Sequence, residues 1–202
     1  NFKYKKSSAR KQSKKRCFLC KKKNIKFCNS HTIPRFVLRN IAPDGKLNNT
    51  QVFNSTPLID TEIGVNKTHT FHTICTDCDN KIFKEYEIAE NFENKPTQLM
   101  LKQIALKNHL SCAYKHNEEK KIYNHSLSLT TSKADLIYYQ NAVKHRIKMT
   151  EYNLTYNKKK ARSVQKSLKS EIDLYKLCFY KKLDYKVPYA LQFHSILPFD
   201  LN

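Results

Sequence analysis

The chain has 202 residues, with 38 Lys and Arg against 17 Asp and Glu, for a net charge of +21. Only two glycines occur in the whole chain, which excludes a glycine-rich phosphate loop. No run of about 18 apolar residues exists to cross a membrane. A compact body with this charge repels itself, so the composition points to a polyanionic partner, nucleic acid ahead of an anionic membrane surface. A lysine-rich genome bias is the competing explanation, since Arg supplies only 6 of the 38 basic residues.

No signal peptide is visible. The chain begins at Asn1 rather than Met and ends just after an apolar stretch, so the natural chain is expected to extend beyond either end. Seven cysteines are present, four of them in Cys-x-x-Cys pairs. That usage favours metal thiolates in a reducing compartment, the cytoplasm, over a disulfide framework.

Residues 1–16 form a basic arm, including Lys14, Lys15 and Arg16, with nothing to build a core; disorder and contact with phosphates are expected. Cys17-Phe18-Leu19-Cys20 follows as a knuckle turn that offers two corners of a zinc tetrahedron. Lys21, Lys22 and Lys23 come next, beside the thiolates. A second pair, Cys75 and Cys78, makes a four-cysteine zinc site the leading expectation. Cys17, Cys20, Cys28 and His31 form a rival set, which would leave Cys75 and Cys78 without obvious partners.

Between the pairs lies Ser30-His31-Thr32-Ile33-Pro34. Pro34 holds Ile33 extended, so His31 and Ile33 share a face at a strand end. Arg35 opens a run through Phe36–Ile41 that is expected to pack beneath. Residues 42–68 read as a loop with one or two short strands, one near Thr50–Phe53. His69 and His72 read as solvent-facing strand histidines. After Cys78, the apolar residues Ile82, Phe83, Tyr86, Ala89 and Phe92 fall at helical spacing, which puts Asn80, Lys84 and Glu87 on a second face with Asp79 near the first turn.

The remainder predicts helices. One opens at Pro96 or Thr97 and runs through Cys112. Another, capped by Ser132, covers Lys133 to about Lys159. Asn157–Lys169 reads as a linker or a continued helix. A third is capped by Ser170, and Tyr189–Phe199 reads as a strand. Cys112 and Cys178 read as core thiols.

The segment from Cys17 to Glu87, about a third of the chain, resembles the HNH branch of the ββα-metal nucleases. It is similar to a bacterial group with Cys-x-x-Cys, then Ser-His-x-Ile-Pro, then Cys-x-x-Cys followed by acidic and aromatic residues. The resemblance implies an α+β fold: a 17–95 zinc-stapled nuclease core, followed by a mainly α-helical extension over 96–202. It implies His31 as general base, with Asp79, Asn80 and Glu87 as further catalytic candidates. Cys17, Cys20, Cys75 and Cys78 would hold structural zinc, and His31 with Asp79 a catalytic Mg²⁺ or Mn²⁺. Lys14, Lys15, Arg16, Lys21, Lys22, Lys23 and Arg35 are the expected nucleic-acid contacts.

The activity so implied is hydrolysis of duplex DNA in a restriction or anti-phage setting, with a possible protein partner in a defence complex. Ser30 stands where a metal-binding Asp, Glu or His is usual. Thr70, with Asn66 and His69 nearby, stands near the family's middle Asn, and acidic residues replace the final His. The alternatives are a non-catalytic zinc module that binds nucleic acid or scaffolds a complex, and an RNA-directed protein.

Overall fold

The computed structural model describes residues 16–42, 44–48, 62–129 and 134–192. Two strand pairs and four α-helices appear in the order β1 (Ser30–His31), α1 (Arg35–Asn40), β2 (Lys46–Asn48), β3 (Glu62–Gly64), β4 (Thr70–Phe71), α2 (Thr76–Ile82), α3 (Gln98–Leu129) and α4 (Ala134–Ser167). A 3₁₀ turn, Ala89–Glu93, precedes α3. The mixed α+β content agrees with expectation. The basic arm up to Lys15 and the strand expected at Thr50–Phe53 lie outside the described residues.

β1 pairs antiparallel with β4, Ser30 opposite Phe71 and His31 opposite Thr70. The connection between them carries α1 and the β2–β3 hairpin, whose entry turn uses Gly45 at φ 68°, a left-handed conformation that costs glycine little. α1 starts after Pro34, whose ψ of 141° is extended, and buries Leu38. Its last turn carries Arg39, which complements the negative helix end.

α2 begins where the extended Cys75 meets Thr76, with Asp77 and Asp79 in the first turn. It ends at Ile82, with Phe83 at φ −105°, ψ 17°. The helix expected to reach Phe92 therefore stops ten residues early, and Glu87 is not on it. Tertiary contacts override the periodicity. Phe83 and Tyr86 are both buried, and the Tyr86 backbone N–H donates to Gln103 Oε1 at 2.8 Å instead of continuing the helix. The Tyr86 hydroxyl donates to the Thr32 carbonyl at 3.1 Å.

α3 spans 32 residues, far beyond Cys112. Its residues 102–103 and 105–111 are buried without interruption, as expected of a helix covered on every side. One side faces the β1–β4–α2 region and another faces α4. α4 runs antiparallel to α3: His109 meets Asn157 at 2.9 Å, Lys120 meets Glu151 at 2.6 Å, and Lys102 Nζ donates to the Ser167 carbonyl at 3.2 Å. Of Asn157–Lys169, expected as a linker or a continued helix, residues 157–167 are helix. Leu106 and Leu110 of α3 and Ala161 and Val164 of α4 share one apolar cluster with Cys17, Phe71, Ile74 and Phe83. Among the described residues this cluster joins side chains from both sides of residue 96.

Ser170 does not start a helix. Its hydroxyl donates to the Ser167 carbonyl at 3.0 Å and closes α4. Residues 171–180 have no regular secondary structure, with Tyr175 and Leu177 half-buried between exposed neighbours. Cys178 in this stretch is exposed, so it is not a core thiol. Tyr189–Gln192 carry no strand, and the rest of that expected element lies outside the described residues. Gln192 nevertheless ties this segment to the core, donating to Asn108 Oδ1 at 2.7 Å.

Candidate metal centre and the adjacent carboxylate–lysine cluster

The first knuckle is a tight loop. The Cys17 N–H donates to the Lys22 carbonyl at 3.0 Å, the Lys21 N–H to the Cys17 carbonyl at 3.1 Å, and Lys21 and Asn24 adopt φ of 62° and 55°. Phe18 N–H then donates to the Thr73 carbonyl at 2.9 Å, which docks the knuckle on the chain entering α2. Cys17, Cys20, Cys75 and Cys78 converge, with all four sulfurs within 4.8 Å of one another. Cys17 Sγ lies 3.7 Å from Cys78 Sγ, and Cys20 Sγ 3.8 Å from Cys75 Sγ.

These separations are far longer than a disulfide bond. A tetrahedral zinc with Zn–S bonds of about 2.3 Å requires sulfurs about 3.8 Å apart. The donor set therefore fits a metal such as zinc. Burial pushes the Cys75 and Cys78 thiols up, while a hydrogen bond to the Lys22 backbone holds Cys20 at about 7. Four thiolates this close repel, and a divalent cation is what allows them all to ionise.

The rival ligand set is not assembled. Cys28 donates its thiol to the Ile74 carbonyl at 3.4 Å, and burial raises it to about 12. His31 is turned elsewhere. Its Nε2 bonds the Val65 carbonyl at 3.0 Å, and the residue is 4% exposed. A carbonyl only accepts, so Nε2 carries the proton and Nδ1 keeps its lone pair. Nδ1 makes no hydrogen bond among the described residues, and it is not among the sealed, unpartnered atoms, which are those of Thr68, Thr73 and Gln98. Burial lowers the pKa of His31. The Val65 bond opposes that shift, and the charges of Arg35 and Lys107 add to it.

Beside His31 stands a second cluster. Ser30 Oγ donates to Asp79 Oδ1 at 2.6 Å. Lys107, from α3, is completely buried along its side chain, and its ammonium lies 3.5 Å from Asp79 Oδ1 and in direct ion-pair contact with Glu87 Oε1. It also donates to the His31 carbonyl at 3.0 Å and sits 4.7 Å from the centre of the Phe83 ring. The structure thus brings Asp79, Glu87 and the His31 backbone to one ammonium. Asn80 is exposed on α2, outside this cluster. His69 and His72 are half-buried rather than solvent-facing; His72 Nε2 bonds Asn29 Oδ1 at 2.5 Å.

The Mg²⁺ or Mn²⁺ expected at His31 and Asp79 does not fit this arrangement. The Val65 bond of His31 leaves Nδ1 with its lone pair, so the misfit lies with the carboxylates. The nearby carboxylates already face a cation that cannot swing into water, because its side chain is sealed.

Sequence reasoning missed Lys107. Its signal was a lysine three residues after Ile104 and three before Leu110, inside the apolar stripe. It also missed Arg162, whose guanidinium lies 5.8 Å from the centre of the Phe18 ring, against which Lys21 also sits at 4.5 Å. Gln165 fixes this approach by donating to the Leu19 carbonyl at 3.2 Å. Arg16, Lys21, Lys22, Lys23 and Arg162 are exposed together on this side, and Arg35 is exposed at the start of α1. Lys14 and Lys15 lie outside the described residues. No helix is long and apolar enough to cross a membrane among the described residues. No protein-family model matches the chain, and neither a curated protein nor a solved structure matches it.

Proposed function

We propose that the protein is a metal-stapled nucleic-acid phosphodiesterase in which His31 is the general base. The observation that carries this reading is the His31 tautomer: a buried neutral imidazole, fixed through Nε2 to Val65, with Nδ1 left basic. Two features support it. Chain order is the one the HNH resemblance implies, with β1 bearing Ser30 and His31, β4 alongside, and α2 bearing Asp79. Moreover Ser30 and Asp79, the positions where that resemblance expects metal ligands, are hydrogen-bonded to each other.

In the proposed reaction His31 Nδ1 takes a proton from a water molecule as its oxygen bonds to phosphorus. The bond from phosphorus to the leaving oxygen breaks, and that oxygen takes a proton from solvent. Arg35, whose charge acts on His31, meets the phosphate oxygens; a guanidinium suits them bidentately. The knuckle cations and Arg162 hold the flanking backbone. Duplex DNA is the proposed substrate and restriction or anti-phage defence the proposed setting, both on the resemblance.

The test is cleavage of duplex DNA, single-stranded DNA and structured RNA in parallel. The zinc-loaded parent is expected to cleave duplex DNA. His31→Ala should lose at least 100-fold in rate while keeping its zinc and its DNA affinity. Cleavage of RNA alone would move the substrate class. A parent that cleaves none of the three, with or without Mg²⁺ or Mn²⁺, overturns the enzyme. That result would leave the second reading, a zinc module that binds nucleic acid without cutting it. Lys107, which occupies both carboxylates, is the observation that favours the second reading.

A further inference from the structure

We propose that Lys107 is the resident cation of the carboxylate cluster and excludes a divalent ion from it. An ammonium has three donors. Here one goes to the His31 carbonyl and one to Glu87 Oε1, and the remaining direction is closed by Asp79 Oδ1 and the Phe83 and Tyr86 rings. The nitrogen is therefore saturated in place, and the faces of two aromatic rings add to its hold.

Charge argues the same way. Two carboxylates offer two negative charges, and a hard dication bound by so few protein oxygens needs both. Lys107 cancels one of them permanently. It cannot leave as a surface lysine would, because no part of its side chain reaches solvent. The ammonium also bonds the carbonyl of His31, so the same atom that takes the ion's place fixes the strand bearing the general base. Lys107 is thus a positioning residue and makes no contact with a phosphate. For cleavage this rests on the reading of His31 as base; for ion binding it stands without it.

Ion binding is accordingly the test. The zinc-loaded full chain is titrated with Mn²⁺ and the free ion is followed by electron paramagnetic resonance. The wild-type protein and Asp79→Asn are expected to give the same weak background. Lys107→Met, which keeps the length of the chain and removes the charge, should gain a site at least tenfold tighter than that background. Adding Asp79→Asn should abolish the gain. Retained zinc and an intact thermal transition show that each variant is folded. Tight Mn²⁺ binding to the wild type that Asp79→Asn removes overturns the proposal, and so does a folded Lys107→Met that gains no site. If Lys107→Met does not fold, the wild type against Asp79→Asn decides alone: equal backgrounds support the proposal, and a loss of binding refutes it.

Discussion

Cys78 and Asp79 are neighbours on α2, yet they serve opposite kinds of centre. About 100° of helix rotation separates them. Cys78 turns toward three other sulfurs, that of nearby Cys75 and those of the distant Cys17 and Cys20, and Asp79 turns toward Ser30 and Lys107. The sulfur centre offers four thiol ligands to a cation from solution. The oxygen centre receives its cation from α3, through packing. One centre is therefore only as intact as its metal supply, while the other is only as intact as the contact between α2 and α3.

The largest effect should come from breaking the sulfur centre. Cys75→Ser removes a ligand that stands at the N-cap position of α2 and whose backbone N–H meets Cys17 Sγ at 3.4 Å. Binding of a structural zinc contributes on the order of 10 kcal/mol to folding. Zinc content measured by atomic emission should fall from about one per chain to near zero. The cooperative melting of the region between Cys17 and Phe83 should disappear with it. A variant that still melts cooperatively without metal would show that apolar packing alone holds this region.

The contrast between the centres also explains what could be read from the sequence. The four sulfurs were legible because zinc fixes both ligand type and spacing, and two Cys-x-x-Cys pairs have few other uses. Ser30, His31 and Asp79 were legible as a neighbourhood. The Lys107 centre was not, because its parts come from α2, the turn after it, and α3, and no spacing rule links them. The apolar positions Ile82, Phe83, Tyr86, Ala89 and Phe92 fit a helix, but Tyr86 found Gln103 and Thr32 instead. The expectation for Glu87 failed for that reason: once α2 stops, its carboxylate swings to Lys107. Burial of polar residues on α3 was equally hidden, since Lys102, Gln103 and Asn108 are satisfied only by partners far along the chain.

A smaller effect separates the centres by pH. Burial lowers the pKa of His31, His69 and His72 from 6.5. Each is therefore neutral when folded at a pH where the unfolded chain has begun to take up a proton. The stability they contribute is complete above about 6.5 and is lost as pH falls through their lower folded values. Acid also competes with any metal for the four cysteine sulfurs, so the parent alone does not isolate the histidines. His31→Gln keeps an N–H for Val65 and does not titrate. Chemical denaturation from pH 7.5 down to pH 5 should show a shallower acid decline for His31→Gln than for the parent, at equal zinc content. Parallel declines would mean that His31 charges as readily folded as unfolded.

The smallest effect tests the basic side of the sulfur centre. Lys21 loses proton affinity through burial first and then through the charge of Arg162. Cations that press on each other across the Phe18 ring are relieved by an anion between them, which is the environment a phosphate backbone supplies. Arg162→Ala should leave zinc and melting unchanged and weaken duplex binding a few-fold. Its signature is in salt: the slope of log affinity against log salt should become shallower by about one, the value for one lost phosphate contact. Arg146 is exposed sixteen residues earlier on the same helix, roughly 24 Å away along its axis. Arg146→Ala should leave that slope unchanged. Equal losses for both would mean that duplexes see only the overall charge of +21, and that the knuckle and α4 do not act together.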